Sequence, residues 1–451
     1  MLRQYCPRFL ASPRPRRFLA ALPLLLLIGC GDASTTDPGR IVTGIAISPP
    51  DITIESNETQ QFTATVSDQH GNVMEGQSII WSSSDQSVVT IDASGLATAA
   101  GEGPATITGA LGSISGSASL TVTPHVPSAW HPLGAGMPLY WTSALTTHGG
   151  DLIAGGGFVA ADGNPANRIA RWDGSAWHPM GTGMDQFVDD VVVYAGDVIA
   201  GGAFTTAGGV TANRVARWDG SQWHSMGAGM DDQVSVLAIF DGDLIAGGRF
   251  TTADGNPASR IARWNGSTWL PMGTGMDDWV SALTVHDGDL VAGGYFTTAS
   301  GQSANRIARW DGSQWQSMGV GMDSVVFALT VFDGGLVAGG WFTSAGGQEA
   351  NYVARWDGSQ WHPLGAGVDE IVMSLETYDG GVIAGGYLLT AGEQAANYIA
   401  RWDGSQWHPL GEGLNGSVQA MTVYQGDLIA SGWFTAAGGQ PAHRIARWGK
   451  P

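Results

Sequence analysis

Short apolar runs of five to seven residues follow one another along most of this chain, and each ends in Gly, Asn or Asp. Within the runs apolar and polar positions alternate, and no helical period is sustained after the first residues. That pattern predicts strands, and an all-β protein. The pattern also repeats. The stretch Asn213-Arg-Val-Ala-Arg-Trp-Asp-Gly-Ser-Gln-Trp223 has counterparts whose first Trp falls at 172, 218, 264, 310, 356, 402 and 448, a constant step of 46 residues.

Self-similarity at that period belongs to a β-propeller or a solenoid. Each unit holds four runs, labelled a to d from the axis outwards. In the third unit they are Val234–Phe240, Leu244–Phe250, Arg260–Trp264 and Thr268–Met272. Asp241-Gly-Asp joins a to b, residues 251–258 join b to c, and Asn265-Gly-Ser joins c to d. The two ends decide the architecture. The repeats open on a lone d run, Ser128-Ala-Trp-His-Pro-Leu-Gly134, and close on a lone c run, Arg444-Ile-Ala-Arg-Trp448. Seven blades are complete only if these two pieces pair. The prediction is a seven-bladed propeller over residues 125–451, closed by its terminal strands, which protects the sheet edges of the ring.

Repeated residues read as structure. The two Trp of each unit flank a tight turn and are expected to pack across c and d, each burying about 150–250 Å². The Arg before the first Trp recurs in all seven units, and is expected to bond a turn carbonyl or stack on a Trp. His131, His178, His224, His362 and His408 follow the second Trp. One per blade is too dispersed for a metal, whose ligands must converge within about 2.0–2.2 Å of one point. The Gly pairs ending strand b are expected where neighbouring sheets approach closely.

Ahead of the repeats, residues 41–124 carry strand-like runs at 44–48, 60–66, 78–82, 88–91, 105–110 and 117–122, with a hairpin signal at His70-Gly71-Asn72. The pieces Ile45-Ala-Ile-Ser-Pro, Gln60-Gln-Phe-Thr-Ala-Thr-Val, Trp81-Ser-Ser-Ser-Asp, Gly95-Leu-Ala-Thr-Ala and Ala105-Thr-Ile-Thr resemble the bacterial group 2 immunoglobulin-like family. The resemblance implies a β-sandwich used as a spacer or adhesion module, with Trp81 in its core. The first 29 residues hold five Arg, no acid and an apolar run from Phe18 to Ile28, as a secretory leader does. Leu27-Ile28-Gly29-Cys30 resembles a bacterial lipobox. It implies cleavage before Cys30, acylation of that residue, and export to the outer membrane or cell surface, with residues 30–40 as a tether. In the repeats, the Gly pair ending strand b and the aromatics of c and d resemble the kelch-type blade. The Phe-Thr-Thr-Ala-Gly-Gly loop and Trp-Asp-Gly-Ser turn depart from it. They look closer to bacterial surface propellers and, more distantly, to propellers of fungal cell-polarity markers.

Composition narrows the function. Beyond the leader, 15 basic residues face 40 acidic ones, a net charge of −25, which repels nucleic acid. Of the two Cys, Cys6 lies in the leader, so the exported chain has no internal disulfide and depends on packing.

Candidate site residues lie where the repeat varies. The d–a loops carry Asp185, Asp231, Asp277, Asp323 and Asp369, which either cap the turn after Gly-x-Gly-Met or form a negative ring that attracts a cation such as Ca²⁺ or a basic partner. Two residues further on stand Trp141, Phe187, Gln233, Trp279, Val325, Ile371 and Ser417. The three aromatics either stack on a sugar, grip a protein loop or fill an irregular channel mouth. Tyr140, Asp189, Glu376 and His443 are further departures. No cofactor is called for, and no catalytic constellation is singled out. The reading is a lipid-anchored surface protein whose propeller face binds a glycan or protein. The alternative is a propeller hydrolase or lyase acting on polysaccharide.

Overall fold

The computed structural model describes residues 39–450, which form two compact units dividing between His125 and Val126. The leader, Cys30 and nearly all of the tether lie outside the described residues.

The first unit is a small β-sandwich. One sheet orders its strands Asp51–Glu55, Ile114–Thr123, Gly103–Leu111 and Ile80–Ser83; another orders Thr59–Gln61, Leu96–Ala99 and Val89–Ile91; Val42–Ser48 pairs with Thr63–Asp68. Phe62, Val89, Ile107 and Leu120 fill the core, and the half-buried Trp81 packs against it. The strands at 51–55 and 96–99 escape a search for apolar runs because both are short and threaded with Thr, Asp or Ala. The hairpin signal lands on a turn: Asp68 accepts the amides of His70 and Asn72 at 2.9 Å each and the Arg40 guanidinium at 2.7 Å. Burial opposes ionisation of this carboxyl, but these bonds outweigh it and hold its pKa far below the ordinary range.

The second unit is the propeller. Among its described residues, seven four-stranded antiparallel sheets follow one another, six of them in the order a-b-c-d along the chain. The seventh takes its outermost strand, Ala129–Pro132, from the start of the unit. That strand pairs with Ile445–Gly449, setting Trp130 opposite Trp448 and His131 opposite Arg447. The innermost strands of successive blades touch, and that of blade 1 (Thr142–His148) touches that of blade 7 (Val418–Tyr424). The ring is closed as the unpaired terminal runs require.

Blade 3 shows how the repeat folds. Strand a is Val234–Phe240, b Asp243–Gly248, c Ile261–Trp264 and d Trp269–Pro271. Asp241 and Gly242 both have positive φ, as a two-residue type I′ turn demands. Strand b is buried on both faces. Leu244 and Ala246 enter one inter-blade core with Met226 and Trp269, while Ile245 enters the next with Val280 and Trp315. The b–c connection is not plain loop: Thr252–Ala253 pairs with Asn256–Pro257 in a small ribbon.

Three repeated side chains hold the ring: one joins blade to blade and two act within a blade. The second Trp is buried, and its indole N–H donates to a carbonyl at the end of strand d of the preceding blade: Trp177 to Leu133 (3.2 Å), Trp223 to Met180 (2.9 Å), Trp269 to Met226 (3.1 Å), and so on round to Trp130 with Leu410 (3.0 Å). The Arg before the first Trp bonds chiefly to a carboxylate. Arg171 meets Asp151 at 2.6 Å and Arg263 meets Asp243 at 3.0 Å. Only where strand b opens on Gly335 or Gly381 does the guanidinium turn to a turn carbonyl, Arg355 to Asp333 and Arg401 to Asp379. The His after the second Trp bonds the turn Asp at His178, His224, His362 and His408, as in His224–Asp219 at 2.6 Å, whereas the buried Nε2 of His131 has no hydrogen-bond partner among the described residues.

The first Gly of each b-strand pair is a contact with the next blade. A Cβ on Gly247 would stand 2.7 Å from Val280 Cγ1, and the same clash recurs from Gly155 against Val188 to Gly385 against Val418. At the closure, Ser431 replaces the Gly and Thr142 the Val, and the Ser431 hydroxyl donates to Thr142 O at 3.3 Å. Gly247→Ala is therefore expected to destabilise the propeller by about 1–3 kcal/mol, and adding Val280→Ala to recover part of that loss, since the smaller side chain yields the space. Thermal or urea unfolding of the two variants checks this; an unchanged midpoint for Gly247→Ala would contradict the contact.

Candidate functional site

The d–a and b–c loops emerge on one face of the propeller and are tied together. Asp231, from the d–a loop, accepts Thr251 N and Thr252 N through Oδ1 (2.8 Å each) and the Thr251 hydroxyl through Oδ2 (2.6 Å). Asp185, Asp277 and Asp323 repeat all three bonds, and Asp369 repeats the two amide bonds with Leu389 and Thr390. Blade 7 has Asn415, whose Oδ1 accepts Thr435 N and Ala436 N. The acids thus cap the following b–c loop rather than their own turn, because the ribbon in that loop brings its free amides to them. For Asp185, Asp231, Asp277 and Asp323 burial works against ionisation, yet the hydrogen bonds prevail and the pKa falls. Among the described residues, no three His, Cys, Asp or Glu side chains converge as metal ligands would.

Inside the ring lies an axial channel of about 440 Å³. Each innermost strand carries a bulge at its second residue, where the pairing skips one position, as between Val188 and Asp190. The bulge re-aims that side chain. Ser143, Asp189, Ser235, Ser281, Phe327, Met373 and Gln419 occupy it, and all line the channel.

At the loop-face mouth, two residues per blade form a rim. The amide after each Gly pair donates to the carbonyl of the residue that precedes strand a: Tyr295 N to Trp279 O (2.8 Å), Trp341 N to Val325 O (2.8 Å), Trp433 N to Ser417 O (2.9 Å). The pairs are Trp141/Gly157, Phe187/Ala203, Gln233/Arg249, Trp279/Tyr295, Val325/Trp341, Ile371/Tyr387 and Ser417/Trp433. In five of the seven a large side chain is paired with a smaller one, the exceptions being Gln233/Arg249 and Trp279/Tyr295. A Cβ on Gly157 would lie 3.1 Å from the Trp141 ring, whereas the small Val325 and Ser417 sit beside Trp341 and Trp433. Six of the seven blades supply an aromatic to this rim.

The structure places the sequence-selected aromatics in two clusters. Trp141 stacks on Trp433 (5.2 Å, 24°) and leans on Phe187 (5.8 Å). Trp279 stacks on Tyr295 (4.7 Å, 7°), carries the Arg249 guanidinium 4.1 Å from its ring centre, and donates its indole N–H to Ser235 (2.8 Å). Asp232, Asp278, Arg249 and Arg260 complete a pocket of about 400 Å³ beside that stack. Three rim aromatics remain well exposed: Trp341 (55%), Trp433 (45%) and Tyr387 (44%). Sequence reading considered only one member of each pair and missed these. The signal was present, since the residue after the Gly pair varies as strongly as the residue before strand a.

Two carboxyls stand in the channel wall. Asp189 accepts Gln233 Nε2 at 2.7 Å, and Asp190 accepts Leu237 N of the next blade (2.7 Å) and its own neighbour Val191 N (2.8 Å). Both are partly buried and line the channel. Burial is the main cause that pushes each up to about 7, and for Asp189 the neighbouring Asp190 adds to it. Glu376, on the innermost strand of blade 6, is also raised by burial.

Comparison with known proteins places both units. Residues 41–122 match the family model of the bacterial Ig-like domain (group 2). Residues 183–336 match the Rax2 C-terminal beta propeller domain, and residues 333–356 a beta-propeller domain of unknown function (DUF5122). The chain is 36% identical over 94 residues to Ice-binding protein 1 of Shewanella frigidimarina (strain NCIMB 400), a match spanning 21% of this chain and 10% of that protein. The chain thus spans about a tenth of the curated relative's length. Among solved structures, a protein of unknown function from Bacteroides thetaiotaomicron VPI-5482 is similar over 92% of this chain and 99% of its own, at 10% identity and a TM-score of 0.38. Domains 4 and 5 of the S-layer protein SbsC are similar over 19% of this chain and 53% of theirs, at 21% identity and a TM-score of 0.17. The chain is a β-propeller protein with an Ig-like domain.

Two expectations follow from the carboxyls. Asp231→Asn should leave stability near wild type, because Asn415 already plays that part in blade 7, while Asp231→Ala should cost about 1 kcal/mol through the lost cap; unfolding curves distinguish them, and equal losses would contradict the capping role. Asp189 has its folded pKa raised above the unfolded value, so the folded state binds the extra proton and loses stability as pH climbs from about 4 to about 7. Asp189→Asn should therefore raise the melting temperature at pH 8, by about 2 °C or more, and change little at pH 4. A fall at pH 8 would contradict the burial argument.

Proposed function

We propose that this chain is an exported surface protein, lipid-anchored through Cys30, that binds glycans on the loop-rich face of its propeller, with the Ig-like unit as a spacer. The leader and the lipobox-like Leu27-Ile28-Gly29-Cys30 support the address. The aromatic rim supports the activity. Trp341 is more than half exposed and stacks on no other ring among the described residues, next to a channel mouth edged by Trp433 and Tyr387. Aromatic faces take the C–H faces of sugars, and carboxylates beside them, here Asp232, Asp278 and Glu370, take hydroxyls. The acidity of the chain disfavours polyanionic partners.

Polysaccharide turnover is a second reading with one observation in its favour. Asp189 and Asp190 titrate near neutrality, where a general acid operates. They are neighbours on one strand, however, whereas glycosidases generally set two carboxylates on opposed sides of the bond, about 5–9.5 Å apart.

A glycan array probed with the exported chain carrying Cys30→Ser tests the first reading. Binding to a defined glycan set is expected, weakened at least about tenfold by Trp341→Ala combined with Trp433→Ala. Absence of any glycan binding, or binding indifferent to both substitutions, would remove it. Sugar release that stops with Asp189→Asn would establish the second reading instead.

A further inference from the structure

The glycan reading leaves open which part of a glycan is held, and the channel bears on that. Its wall is divided. Blades 2 and 3 contribute Asp189, Asp190 and Gln233, and blades 5 and 6, across the ring, contribute Phe327, Met373 and Leu375. Hydrogen bonds within the protein use Asp189 Oδ2 and Gln233 Nε2. Asp189 Oδ1 and Gln233 Oε1 engage no protein donor among the described residues. The serines at the bulges point the same way. Ser143 and Ser281 donate to Val188 O and Val326 O of the next blade, at 3.1 and 2.7 Å, and keep their lone pairs as acceptors. The side of blades 2 and 3 thus concentrates acceptors for hydroxyl protons, beside the apolar Val236, and the side of blades 5 and 6 is mainly apolar with an aromatic ring, Ser374 apart.

A pyranose has that division: hydroxyls around its edge and C–H groups on its face. At about 440 Å³ the channel falls in the range that holds small ligands. Its mouth is ringed by aromatics, and the acids Asp232, Asp278 and Glu370 stand around it. No Lys or Arg lines it, and Arg249 at the rim lies over Trp279 and already acts on Asp189, so a uronate or sulfated sugar would meet the carboxyls of Asp189 and Asp190 with no cation in the wall itself. An unbranched hydrocarbon would strand the acceptors of Asp189 and Gln233. Resting on the glycan reading above, we propose that the axial channel is a terminal subsite: it takes the end residue of a neutral glycan, while the aromatic rim holds the sugars that follow.

The repeat itself supplies a clean test. Blade 5 carries Phe327 at the bulge where blade 4 carries Ser281, so Ser281→Phe narrows the channel with a side chain this fold already accommodates at that position. Calorimetric titration would use the exported chain (Cys30→Ser) with linear neutral hexasaccharides (glucan, mannan, galactan and chitin series) and with hexagalacturonate as the charged probe. The expected result is binding of a neutral hexasaccharide, weakened at least tenfold by Ser281→Phe and at least threefold by Gln233→Leu, with melting temperatures kept. Neutral binding untouched by Ser281→Phe, or preference for hexagalacturonate, would overturn the terminal subsite and leave the glycan-binding face standing. No binding by the wild-type chain in these titrations or on the array would overturn both.

Discussion

The whole ring depends on one hydrogen bond made seven times. The second Trp of each blade lies buried between two sheets and gives its indole N–H to the last turn of the blade before it. A buried indole without an acceptor would be costly, and a blade displaced from its neighbour would leave it so. The bond therefore fixes the spacing of the wedges as well as joining them. Trp130 makes it across 280 residues of chain to Leu410, so the closure uses the same joint as every internal contact.

With the joints fixed, the other repeated residues become comprehensible. The Gly that ends strand b exists because the next blade's Val needs its space; Arg pairs with the Asp opening strand b; the d–a Asp caps the b–c ribbon. Each serves the seam between strands or between sheets. What is left free to vary is the rim of the channel and the bulge just beneath it. There the chain sets Trp against Gly, Val against Trp, Asp against Phe. In several pairs a large side chain faces a small one, and chemistry changes from blade to blade, the condition under which a repetitive scaffold carries one asymmetric site.

Much of this is legible in the amino-acid sequence, and the illegible part has physical causes. The 46-residue period and the unpaired terminal strands lead directly to seven blades, because a closed ring has only one way to complete the odd sheet. The Trp pairs and Gly pairs read correctly as packing, since their neighbours come from the adjoining, identical unit. The partners of Arg171 and Asp231 do not read so easily. Each lies about twenty residues away, in an element whose bounds depend on a bulge or ribbon that alternation does not reveal. The rim pairs are harder still: Trp341 and Val325 are joined by a main-chain bond, which leaves no trace except the inverse sizes of two variable positions. Asp189 stood out as a departure from the repeat, but its place in the channel wall follows only from the bulge.

The joint can be observed without altering the protein. Indole N–H exchange, followed by NMR on chain labelled with ¹⁵N at tryptophan, reports each acceptor bond separately. Trp130, Trp177, Trp223, Trp269, Trp315, Trp361 and Trp407 should exchange slowly and as one class, with Trp130 as well protected as the six internal indoles. A Trp130 indole that exchanges like an exposed one while the other six remain protected would show a row of blades that does not close.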